Sequence, residues 1–178
     1  MIRELEFQLL CQRHRDEIYR YARGLLGNQA DAEDATQEAL LRLWTHLPRI
    51  NLFSLRAWLF RTTRNYCLDL IRRRLNTASM PTPEEDEDWP DDRAVDPSAA
   101  ADSSFRLEQA RRLLLKLPEA FRSVFILYEV NGMRYREIAD VLGMPINTVK
   151  VNLLRARERL SRLMRTAKEE TWTIPCKD

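Results

Sequence analysis

The chain has 178 residues, enough for one or two small domains, and its 44% apolar and 31% charged residues allow a buried core beneath a heavily charged surface. Only 4 glycines and 8 prolines interrupt it, which argues against a sandwich, a barrel or a collagen-like chain; no run approaches the roughly 18 apolar residues that span a bilayer. The formal net charge of +2 conceals an asymmetry: residues 1–79 carry +4, residues 80–104 carry −8 and residues 105–178 carry +6.

In chain order, nearly every periodic segment predicts helix. Residues 3–26 place Leu5, Leu9, Ile18, Tyr21, Ala22 and Leu25 at helical spacing, and Gly27-Asn28 is a stop signal. The opening MIRELEF carries charges, unlike a secretory signal, so the chain is expected to stay in the cytoplasm. Asp31 is the expected N-cap of a second helix to Leu47, with Glu33 and Asp34 where the dipole favours acids. Its core stripe is Thr36, Leu40, Leu43 and Leu47; its far side carries Asp34, Gln37, Glu38, Leu41 and Thr45. That acidic face suits a protein partner better than DNA, though the pattern also fits a merely solvated face.

A loop precedes a third helix, 55–75, with Ser54 as expected cap and Leu55, Leu59, Thr62, Tyr66 and Leu70 as expected core. Trp58, Arg61, Asn65 and Arg72 share a different sector. Stacking on Trp58, base-edge pairing by Asn65 and phosphate contacts from the arginines would make that sector a single-stranded nucleic-acid surface. A tryptophan packed on a neighbouring helix explains the pattern equally. Residues 80–104 hold four prolines and an acidic run and read as a linker.

Helices resume over 105–116, 119–130 and 134–142. A turn at Gly143-Met144-Pro145 leads into a long helix, 147–166, completing a helix-turn-helix. Val149, Leu153, Ala156, Leu160 and Leu163 form its buried sector. Lys150, Val151, Leu154, Arg155, Glu158 and Arg162 lie opposite, a face that a major groove accepts: apolar groups for thymine methyls and Arg155 for a guanine. An ordinary αα-hairpin is the alternative. Of 29 basic residues 25 are Arg, the side chain suited to bidentate phosphate and guanine contacts, although genomic codon bias also yields such a count.

No nucleophile–base pair, Gly-rich phosphate loop or metal-ligand cluster is evident, so no enzyme activity and no cofactor is expected. Cys11, Cys67 and Cys176 are far apart and lack CxxC spacing, so neither a disulfide framework nor a zinc site is expected; His14 and His46 are isolated.

DAEDATQEALLRLW (31–44), AWLFRTTRNYCLDLIRRR (57–74), LPEAFRSVFILYEVNGMRYREIADVLG (117–143) and INTVKVNLLRARERL (146–160), in this order, resemble the bacterial sigma-70 family of RNA polymerase sigma factors, in its extracytoplasmic-function (ECF, group 4) subfamily. The resemblance implies an all-α fold of two small helical bundles joined by an acidic flexible linker: a sigma-2-like domain, 1–78, the linker, 79–104, a sigma-4-like helix-turn-helix domain, 105–168, and a short tail, 169–178. It implies a transcription initiation factor that binds core RNA polymerase and directs it to promoters by reading −10 and −35 elements and promoting melting. Asp34, Gln37, Glu38 and Leu41 correspond to the surface docking on the β′ coiled coil. Asn51, Phe53, Trp58, Arg61, Asn65 and Arg72 correspond to the −10 reader. Thr148, Lys150, Val151, Asn152, Leu154, Arg155 and Arg159 correspond to the −35 reader, whose domain also meets the β flap. An anti-sigma factor is an implied partner, and membrane insertion is not expected.

Two departures stand out. Asn147-Thr148-Val149-Lys150-Val151-Asn152 replaces the usual Gly-Thr-Val-Lys-Ser-Arg, which bears on −35 preference rather than groove docking, and Phe121 stands where the family often has Gln. Residues 76–102, fully extended, reach about 90–97 Å. That just covers the roughly 85 Å between elements about 25 base pairs apart. Granting the resemblance, the linker's negative charge suits the positively charged channel later filled by RNA; a plain solvated spacer is the alternative. The alternatives are a stand-alone helix-turn-helix regulator that binds duplex DNA without polymerase, and a helical adaptor with no nucleic-acid role.

Overall fold

The computed structural model describes residues 2–77 and 100–172, and every described element is helical: α1 (Ile2–Leu26), α2 (Gln29–His46), α3 (Leu55–Thr77), α4 (Ala100–Leu115), α5 (Glu119–Phe125), α6 (Tyr135–Leu142) and α7 (Ile146–Trp172). Single 3₁₀ turns, Leu47–Arg49 and Leu52–Ser54, join α2 to α3, and a π-turn, Ile126–Val130, extends α5. Gly27, at φ +81, ends α1 in the left-handed region that glycine enters without a Cβ penalty. The cap of α2 is Asn28 rather than Asp31: its Oδ1 accepts from the Asp31 backbone N–H at 2.8 Å. Asp31 sits instead in the first turn, accepting from Asn28 Nδ2 and pairing with Arg74 of α3. Ser54 does not cap α3 as expected; its hydroxyl donates to the Asn51 carbonyl.

α1 and α2 form an antiparallel hairpin against which α3 packs. Ile18, Tyr21, Ala22 and Leu25 are buried as the spacing predicts, but Leu5 and Leu9 are 59% and 58% exposed. The stripe on α3 is rotated from the expected one. Leu55, Leu59, Phe60, Thr63 and Cys67 are buried, while Thr62, Tyr66 and Leu70 are half-buried at its edge. The cause is packing on several sides, since α3 meets α6 as well as α1 and α2. Thr63 is accommodated because its hydroxyl donates to the Leu59 carbonyl at 2.9 Å.

The two bundles do not stand apart: one cluster of buried residues runs from Ile18 through Leu59 and Phe60 to Leu127, Ile138 and Leu153. α4 begins at Ala100, inside the segment expected to be linker, and α7 runs to Trp172, beyond the expected tail boundary. The remainder of the linker, 79–99, and of the tail, with Cys176, lies outside the described residues.

Cys67 is fully buried, and burial, with Asp31 a lesser cause, pushes its thiol up to about 12. Because the thiolate is the reactive form, native chain at pH 8 is expected to leave Cys67 unalkylated by iodoacetamide until denaturant is added. Peptide mass mapping checks this, and prompt labelling of native Cys67 would contradict it.

Candidate nucleic-acid interface

The outer side of α2 presents Asp34, Gln37 and Leu41 to solvent, with Leu41 63% exposed. Glu38 is half-buried and accepts from Arg42 Nε at 2.6 Å, one turn on. At the open end of the hairpin Trp44 meets Phe7 edge-on, with centroids 5.0 Å apart.

The α2–α3 connection is built around Asn51. Its side chain accepts from the Phe53 backbone N–H at 2.9 Å, and this turn leaves the Phe53 ring wholly exposed. A free phenyl on a capped turn is a ready stacking surface for an unpaired base. Trp58 is not equally free: it is half-buried, its ring 5.9 Å from that of His46. Asn65 is exposed, Arg72 pairs with Asp69 at 3.0 Å, and Arg61 donates to the Asp140 backbone carbonyl of α6. The −10 candidates thus share one side of α3 and its loop, and α6 of the second bundle covers part of it.

Other α3 arginines, not singled out from the sequence, hold that arrangement. Arg64 forks onto Glu119 of α5, with Nε and Nη2 at 2.9 and 3.0 Å from the two carboxylate oxygens, the bidentate geometry of strong ion pairs. Arg56 reaches Glu17 at 2.9 Å, the Asn131 carbonyl at 2.8 Å and Glu137 at 3.5 Å. Tyr21 donates to Ser123 at 3.2 Å, and burial raises its phenol well above its ordinary range. Gly24 gives the π-turn room: a Cβ there would lie 2.6 Å from Ile126. Nearby His14 is buried, and burial, opposed in part by Glu17, lowers its pKa, so the neutral ring is favoured.

The helix-turn-helix has the expected local chemistry. Glu137 accepts from the Arg134 N–H at 2.7 Å at the start of α6, and Gly143 ends that helix at φ +63. Val149, Leu153 and Ala156 are buried, with Leu160 and Leu163 half-buried. Thr148, Lys150, Val151, Leu154, Arg155 and Arg159 face solvent, a continuous basic and apolar surface. Asn152 departs from expectation: it is buried, its amide turned towards Met144 Sδ at 3.8 Å, because position 152 adjoins the Val149–Leu153 stripe. Its amide is therefore not presented on the solvent-facing side of α7. Tyr128 and Tyr135, also not singled out from sequence, stack on each other and lie beneath Arg157 and Lys150 of the same helix in cation–π contacts. Among the described residues, no group of three or more His, Cys, Asp or Glu side chains could hold a metal, and no helix is long and apolar enough to cross a membrane.

Two regions of the chain match described families: residues 10–77 match Sigma-70 region 2, and residues 107–160 match Sigma-70, region 4. Among similar proteins, the ECF RNA polymerase sigma factor SigE of Mycolicibacterium smegmatis is 33% identical over 165 residues, 91% of this chain; the chain spans 63% of that relative's length. SigW of Bacillus subtilis, also an ECF RNA polymerase sigma factor, is 29% identical over 85% of each chain. SigM of Mycobacterium tuberculosis, of the same description, is 30% identical over 89% of this chain and 76% of its own. Two solved structures share the fold. The sigma factor RpoE of Bartonella quintana, in complex with the anti-sigma factor NepR, has a TM-score of 0.72 and 26% identity over 90% of this chain and 97% of its own. CnrH, in complex with the cytosolic domain of CnrY, has a TM-score of 0.66 and 26% identity over 92% and 90%. With region 2 on the first bundle, region 4 on the second and relatives of one kind across both, this chain belongs to the sigma-70 family as an ECF RNA polymerase sigma factor.

Proposed function

We propose that the chain is a non-enzymatic initiation factor, acting in the cytoplasm, that joins core RNA polymerase and confers promoter specificity. The observation that carries this is the coexistence, in one chain, of a helix-turn-helix with an exposed basic–apolar face and a second bundle that displays Phe53 and Asn65 beside Arg61. A stand-alone regulator needs only the former. α7 reads the −35 duplex through Lys150, Val151, Leu154 and Arg155, with Thr148 and Arg159 at its margins. Asn51, Phe53, Trp58, Arg61, Asn65 and Arg72 capture the −10 strand as it unpairs. Unpairing costs a few kcal/mol, which stacking at about 1–3 kcal/mol per base offsets.

The domain division places one reader on residues 1–78 and the other on 105–168. Two weak readers become a strong one when polymerase sets their separation, an effective-concentration effect. Promoter elements roughly 85 Å apart require the bundles to part, which frees Arg61 from the Asp140 carbonyl. Arg56–Glu137 is a long, part-exposed pair between the bundles, weak enough to be exchanged for polymerase and phosphate contacts, whereas the bidentate Arg64–Glu119 pair is the stronger hold that parting must break. An anti-sigma factor is a further expected partner, as in the RpoE–NepR structure.

The test is run-off transcription of genomic DNA with purified core polymerase, read by sequencing: discrete new start sites are expected, and an unchanged start-site profile refutes the reading. The α2 face docks on the β′ coiled coil. Glu38→Arg reverses a charge beside the exposed Leu41 and is expected to weaken capture of core polymerase several-fold. Undiminished pull-down by that variant removes α2 from the docking surface.

A further inference from the structure

A ladder of rings and cations ties the π-turn to the helix-turn-helix. Where an α-helix would close the Asn131 N–H onto Leu127, it closes onto the Ile126 carbonyl, five residues back, at 3.0 Å. Tyr128 and Glu129 lie on this wider turn and reach α7. The Tyr128 ring stacks on that of Tyr135, at the start of α6, with 5.1 Å between centroids and 9° between planes. The Arg157 guanidinium lies 5.5 Å over Tyr128 and the Lys150 ammonium 5.9 Å over Tyr135.

The two ends differ. Glu129 accepts from Arg157 at 2.9 and 2.5 Å, so that end is neutralised and pinned. Lys150 is exposed and, among the described residues, makes no ion pair, so its charge stays available near the N-terminal end of α7, the part of a recognition helix that enters the groove. A lysine stem is flexible, and a ring face beneath its ammonium narrows the positions it samples.

We propose that Tyr128 and Tyr135 are positioning residues for promoter recognition: their stack, anchored by Glu129 and Arg157, presets the Lys150 ammonium for a backbone phosphate of the −35 duplex. The inference rests on α7 being the −35 reader.

The test uses the full chain with core polymerase on promoter fragments across a salt series. Lys150→Gln is expected to flatten the log–log salt dependence of affinity by about 0.9, the loss of one phosphate contact. Tyr135→Leu is expected to weaken binding about two- to fivefold, with Tyr135→Phe retaining it, since the ring face does the work. In the Lys150→Gln background Tyr135→Leu is expected to add nothing, a coupling that a merely structural ring would not show. In the free chain the Lys150 ε-methylene protons are expected to be ring-current shifted, a signature kept by Tyr135→Phe and lost in Tyr135→Leu. Should Tyr135→Leu fail to fold, Tyr128→Leu tests the stack from its other end. Independent, additive losses or unshifted ε protons overturn the proposal. A silent Lys150→Gln overturns it too, and Arg155→Ala on the same fragments then separates the failures: a loss there retains α7 as reader, whereas silence of both discards that reading as well.

Discussion

Phe60→Ala is expected to cost about 3–5 kcal/mol of folding stability. The Phe60 ring is fully buried, meets Tyr21 edge-on at 5.4 Å and 73°, and lies 5.7 Å from the Arg56 guanidinium. Truncation removes the transfer free energy, leaves a cavity lined by groups that collapse only partly, and removes an aromatic pair. At roughly 2–4 °C per kcal/mol for a chain of this size, the melting midpoint should fall by about 6–20 °C. Tyr21 also donates to Ser123, and Arg56 also holds the Asn131 carbonyl, so the loss reaches the contact between bundles as well as the first bundle. Thermal and urea unfolding followed by tryptophan fluorescence measure it. A loss below about 1 kcal/mol would mean that Phe60 does not join the two halves of the core.

What could be read from sequence was what local chemistry decides. The α6–turn–α7 unit is specified within a few residues by Glu137, by Gly143 and by the stripe Val149, Leu153, Ala156, so its buried and exposed faces were legible except at Asn152, which adjoins the stripe and turns inward. The α2 faces were legible for the same reason, since that helix buries one side. α3 was less so: periodicity assumes one buried face, whereas α6 packs on it too and shifts the stripe towards Phe60, Thr63 and Cys67. Leu5 and Leu9 follow helical spacing yet stay exposed, because spacing reports a face and not what covers it. Arg64–Glu119 and Arg61–Asp140 join residues 55 and 79 positions apart, and nothing local in either partner announces the other. The π-turn was equally silent: it inserts one residue into a helix otherwise correctly placed, and with it goes the stacking of Tyr128 on Tyr135.

Arg155→Ala is expected to cost about 1–3 kcal/mol at one −35 base pair and much less at the others. Arg155 is exposed on α7 beside two further exposed side chains, Val151 and Leu154, which offer shape and methyl contacts but no hydrogen bonds. Asn152 is turned inward to Met144 and is not presented on this face. Lys150, a point charge, suits a phosphate better than a base edge. If this face reads the −35 element as proposed, the hydrogen-bonding part of base discrimination falls chiefly on Arg155, whose fork matches guanine O6 and N7, with Thr148 and Arg159 the other exposed hydrogen-bonding candidates. Holoenzyme binding to fragments carrying each single-base change in the −35 element measures it. Base reading predicts that discrimination collapses at one position while the others keep theirs. A uniform loss across all fragments, with a salt slope smaller by about one, would instead make Arg155 a phosphate contact and leave the −35 preference to groove shape.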